Sequence, residues 1–208
     1  FSTGTTSSGA SGMFELMTGT ATGGNAGTMR FQVGSGTQDA GGHVFASAGD
    51  SLPSTGGFIE VTAGTGLATS SGGMLFKTVN AGTKGISGSV HFITGTASHG
   101  SSGLLLFQTG DATGGKGGAM SLVVGSGDTG VGGDIIIAAG ESDPVTGGAV
   151  TMTSGFDFDT SSGAFVLKTL NAGVKGVSGA ISFSSGSTSS GSSGKIDFET
   201  GAATHGNG

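Results

Sequence analysis

Short runs of alternating apolar and polar residues recur along the chain, among them "TMRFQV", "SVHFIT", "AMSLVV", "DIIIAA", "AVTMTS" and "KIDFET". All thirteen such bursts are apolar at their second and fourth positions. Alternate residues of an extended backbone share a side, so the two columns lie on one face. The pattern predicts a core ladder of Phe14, Leu16, Met29, Phe31, Ile59, Val61, Phe76, Phe92, Phe107, Leu122, Ile135, Ile137, Phe165, Leu167, Phe183 and Phe198. Val44, Ala46, Met74, Val90, Leu105, Met120, Val150, Met152, Ile181 and Ile196 complete the columns. Helix is disfavoured, because glycine punctuates the chain every seven or eight residues and costs about 1 kcal/mol at a helical site.

The bursts keep a strict period. Gly27, Gly42, Gly57 and Gly72 are 15 residues apart, and a step of 16 leads to Gly88. Gly103, Gly118, Gly133, Gly148 and Gly163 follow at 15, then a second step of 16 reaches Gly179 and one of 15 reaches Gly194. These are the candidate turn glycines. A second glycine series closes each burst, and Asn80 and Asn171 replace it in the two 16-residue units. Around them "NAGTKGISGSVHF" (80–92) and "NAGVKGVSGAISF" (171–183) lie 91 residues apart, with Lys84 and Lys175 equivalent. Asn tolerates left-handed backbone best among non-glycine residues, which predicts a conserved turn geometry at this register seam. The extra residue predicts a bulge or enlarged corner that re-sets strand register.

Large residues on one wall and small ones on the other predict an all-β fold, a β-solenoid or parallel β-helix of thirteen units of about 15 residues. One unit per coil is the preferred version. Coils of two or three units would present the same columns, and an antiparallel sandwich or barrel is the alternative. The period continues throughout, so 1–208 is expected to be one continuous repeat domain. Its six-unit super-repeats run over 13–103 and 104–194, with partial ones at 1–12 and 195–208.

Composition narrows function mainly by exclusion. Glycine supplies 48 residues, Ser 30 and Thr 27, half of the 208-residue chain, yet there is no collagen period and only two prolines. A net charge of −6 with seven basic residues lacks the basic face that nucleic acid requires. No apolar run reaches the roughly 20 residues of a membrane helix, so membrane insertion is not expected. The absence of cysteine removes disulfides and thiolate metal sites.

The remaining chemistry is sparse. "GGKGG" around Lys116 does not match a phosphate-binding loop and reads as a corner. Acids such as Asp39, Asp50, Asp111, Asp128, Asp143 and Asp157 recur at no fixed turn position, unlike a calcium-binding roll. "FDFD" at 156–159 is the one local oxygen cluster, read first as a solvated turn. His43, His91, His99 and His205 form no close ligand pair in sequence. A carbohydrate-active solenoid would call for paired acids and aromatic platforms, and there is no Trp or Tyr and a single arginine, Arg30. Thr18, Thr20 and Thr22 resemble one row of an ice-binding solenoid, but Val33, Ser35 and Thr37, then Ala48, Asp50 and Leu52, break it. No catalytic, cofactor-binding or metal-binding residue is expected.

Outward positions carry large apolar residues too, and Phe45, Phe58, Leu75, Leu104, Leu106 and Ile136 form a candidate interface stripe. Open solenoid ends would add end-to-end pairing. The texture of "SSGSSGKIDFETGAATHGNG" and "GVSGAISFSSGSTSSG" resembles Gly/Ser/Thr-rich repeat proteins predicted in diatoms and related algae, with repeats of the form "SSG…hxhxSG…TGG". The resemblance covers essentially the whole chain and implies a surface or secreted location. The expectation is a non-enzymatic structural subunit or segment of an extracellular fibre that self-associates laterally and end to end. Its Ser/Thr surface could carry O-glycans, whereas all four asparagines fail the N-glycan sequon. An adhesin or ice-binding rod is the binding-class alternative, and the carbohydrate-active solenoid is the enzyme-class one.

Overall fold

A computed structural model describes residues 1–38 and 40–203. It divides the chain into two units, Phe1–Leu106 and Phe107–Gly208, where one continuous domain was expected. The division falls close to the boundary between super-repeats at 103 and 104.

No helix and no strand occurs among the described residues, which overturns the all-β expectation. Neither the β-solenoid nor the antiparallel sandwich or barrel is present. Extended bursts alternate with bends, such as those at 52–54, 67–69 and 143–145. The reason lies in what alternation measures. A period of two reports the direction of successive side chains along an extended backbone, with or without a neighbouring strand. A ladder also needs the backbone groups of adjacent bursts to meet along their length. Only six backbone–backbone hydrogen bonds occur among the described residues, far below the roughly one per residue of a packed domain. The glycine content compounds this, because each glycine ordered into a strand loses the most backbone entropy.

Successive bursts instead meet chiefly at a neck, where a turn glycine faces the residue nine positions earlier, or ten at Gly88 and Gly179. A β-carbon on Gly27 would lie 3.3 Å from Thr18 Cβ, and one on Gly118 would lie 3.5 Å from Thr109 Cβ. The same arrangement joins Ala48 to Gly57, Ala63 to Gly72, Thr94 to Gly103, Val124 to Gly133, Ala139 to Gly148 and Ser185 to Gly194. Close approach is therefore the role of these glycines. Positive φ occurs elsewhere, at Gly9, Gly100, Gly130 and Gly191 in the loop tips.

The contacts nest as in a chain that doubles back. Thr3 meets Gly12 inside the ring contact of Phe1 with Phe14. Ser185 meets Gly194 inside that of Phe183 with Phe198. Beside the necks Phe107, a fourth burst position, lies near Met120 and Leu122, a second and a fourth position, and Phe183 meets Phe198, both fourth positions.

The register seam absorbs its extra residue in the loop. Thr78 faces Gly88 and Thr169 faces Gly179 across ten positions instead of nine. Inside these loops Gly85 N–H donates to Gly82 C=O at 3.4 Å and Gly176 N–H to Gly173 C=O at 3.3 Å. Each closes a tight turn with Lys84 or Lys175 at its third position. The extra residue of each 16-residue unit thus lies within the loop that these turns occupy. No non-glycine residue among those described has positive φ, so the left-handed geometry expected at Asn80 and Asn171 does not occur.

The necks divide by side chain. Gly57, Gly72, Gly148 and Gly163 donate their N–H to the carbonyls of Gly49, Gly64, Gly140 and Gly155 at 2.8–2.9 Å. In all four the neck residue is small: Ala48, Ala63, Ala139 or Ser154. At Thr18, Val33, Thr109 and Val124 the branched side chain comes first, and no backbone atom of the opposing segment lies within 4 Å of the glycine's β-position. The pattern repeats at 91 residues. Gly57, Gly72, Gly148 and Gly163 amides are expected to exchange with solvent about two- to tenfold more slowly than those of Gly27, Gly42, Gly118 and Gly133, measured by NMR. Ala48→Val is expected to abolish the protection at Gly57 and leave Gly72 unchanged.

Candidate functional site

Burial, or its lack, defines the surface from which any function must be built. The accessible area is 20786 Å², against about 8,600 Å² for a compact folded chain of this mass. No described residue is buried. Among those described, Ala48, Gly66, Ala81, Thr94 and Ala139 are the least exposed, and three of these are neck residues.

The two faces of each burst are nevertheless distinct. Ile136 is 86% exposed between Ile135 at 52% and Ile137 at 61%, and Leu75 at 75% stands between Met74 at 47% and Phe76 at 63%. The proposed core ladder forms no closed core: its members are exposed, from Phe198 at 80% to Met29 at 41%. They do meet across necks. Phe107, Met120, Ser121 and Leu122 line a shallow apolar depression of about 320 Å³. Phe183 and Phe198 approach edge to face with ring centres 5.9 Å apart, a preferred aromatic geometry.

The outer face holds Phe45, Phe58, Leu75, Leu104, Leu106 and Ile136, all exposed. Charged and polar groups interrupt it. His43 lies 5.8 Å from Phe45 between ring centres, and His91 Nε2 is 2.9 Å from Ser89 Oγ. Lys195 Nζ pairs with Asp197 Oδ2 at 2.6 Å, two residues along the same face. Both groups are open to water, where such pairs contribute little.

The polar candidates serve the loops. Asp157 Oδ1 accepts the N–H of Asp159 at 2.8 Å and of Thr160 at 2.7 Å. "FDFD" is therefore an Asx-type turn in which one carboxylate oxygen is already engaged by the backbone, with Phe156 and Phe158 edge to face at 5.0 Å. Thr6 and Thr188, in matching "TSSG" loops, each donate their hydroxyl to a carbonyl two residues on, Ser8 and Ser190. Thr18, read as part of a threonine row, is a neck residue whose Oγ1 donates to Gly27 C=O at 3.2 Å. No group of three or more His, Asp and Glu that could hold a metal ion occurs among the described residues. Asp39 and His205 lie outside them.

The backbone N–H groups of Asp159 and then Thr160 stabilise the charged form of Asp157 and hold its pKa below the ordinary 3.8. A depressed carboxyl pKa contributes to the turn above the ordinary value and loses that contribution as pH falls through the lowered one. An NMR titration is expected to place Asp157 below 3.8, with the Thr160 amide shift following the same midpoint. Asp157→Ala is expected to remove that titration and speed exchange of the Asp159 and Thr160 amides.

What the geometry presents is a repeated apolar face held in register by necks. No helix among the described residues is long and apolar enough to cross a membrane. Compared with known proteins, the chain matches no family model, and no curated protein or solved structure matches it.

Proposed function

We propose that this chain is a non-catalytic structural subunit or segment of an extracellular fibre or filament, formed by self-association. One observation carries the reading: a large apolar face repeated in register, which the single chain leaves open to water. Apolar surface on this scale is costly to hydrate and is ordinarily covered by a partner. Association removes that cost without new chemistry, and each added unit contributes the same two side chains. The extracellular placement rests on the resemblance to surface and secreted Gly/Ser/Thr-rich repeat proteins. The Ser/Thr-rich loops keep such an assembly wetted and offer hydroxyls to O-glycans.

Purified chain examined by sedimentation and negative-stain microscopy is expected to form filaments or high-mass assemblies above a critical concentration in the micromolar range. A chain that stays monodisperse and monomeric at millimolar concentration would overturn the proposal.

A further inference from the structure

The expected interface was the outer stripe, but the structure leaves a second and more regular apolar face open. We infer that the column face, built from the second and fourth burst positions, is the surface that a second copy of this chain covers. The inference rests on the structural-subunit reading and specifies its contact.

Charge separates the two faces. No charged residue occupies a second or fourth position in any of the thirteen bursts. The outer positions carry Glu15, Arg30, Glu60, Lys77, Asp134 and Lys168, among others. Burying such groups without partners is costly, so a dry interface belongs on the column side. Neighbouring repeat units also meet through column residues at two places. Phe107 beside Met120 and Leu122, and Phe183 against Phe198, show neighbouring units contributing to one surface. The least exposed large column residue is Met29, at 41%.

Area and period point to a copy of the same chain as the occupant. One super-repeat presents twelve column side chains. At roughly 100 Å² each they offer on the order of 1,000 Å², above the ~800 Å² per partner of a standard stable interface. A partner must also match a period of 15 interrupted by 16 every 91 residues. A second copy meets that condition by identity, and rows of like side chains pack against each other without a charge to desolvate.

The methionines report on this directly. Met29, Met74, Met120 and Met152 are column residues, whereas Met13 and Met17 lie on the outer face, and these are all six in the chain. Peroxide oxidation of assembled full-length chain, read by peptide mass spectrometry, is expected to slow at the four column methionines at least fivefold relative to unassembled chain. Met13 and Met17 should change less than twofold. Within the run Ile135, Ile136 and Ile137, the double variant Ile135→Asp/Ile137→Asp is expected to raise the critical concentration at least tenfold, and Ile136→Asp less than twofold. Protection of Met13 and Met17 instead, or greater disruption by Ile136→Asp, would overturn this inference while leaving self-assembly standing. A wild-type chain that never assembles would overturn both it and the structural-subunit reading.

Discussion

The contact between a glycine α-carbon and the side chain nine residues before it is the constraint on which the structure depends. It recurs between successive bursts along the described residues. Because the approach is close, the later position carries no β-carbon; on Gly42 or Gly133 one would run into a γ-methyl of Val33 or Val124. Because the neck sits two residues outside each column, it brings column residues of neighbouring units close, as at Phe107 and Met120 or Phe183 and Phe198.

The neck also explains how local chemistry modulates a uniform repeat. Ala48, Ala63, Ala139 and Ser154 let the backbones come within hydrogen-bonding distance, and branched Thr or Val holds them apart. Ser185 is small yet its neck has no such bond, so size permits the bond without enforcing it. The 16-residue units place their surplus in the loop, where a tight turn at Gly82–Gly85 or Gly173–Gly176 consumes it.

Much of this organisation is legible in the residues, and the exceptions share a cause. Column alternation and the 91-residue block follow from side-chain type and spacing, which are one-dimensional quantities. The inference from columns to a buried ladder failed at Phe31, Leu122 and their equivalents because periodicity specifies a face and not its neighbour. Either close approach or positive φ would explain a glycine at the periodic positions. Only coordinates separate Gly118, which faces Thr109, from Gly130, which has φ of 83°. The openness of the column face had no signal in the sequence, since the same residues would read identically in a closed core.

Sequence by itself determined the extended, alternating bursts, the glycine period, the six-unit block and the uncharged character of one face. These depend on local sterics and on the order of residue types. Tertiary structure decided that successive bursts meet at the necks, that no strand ladder forms among the described residues, and that the columns stay open to water. Those outcomes depend on which backbone segments meet and how closely, and in this chain the answer turns on whether an alanine, serine, threonine or valine stands opposite each glycine.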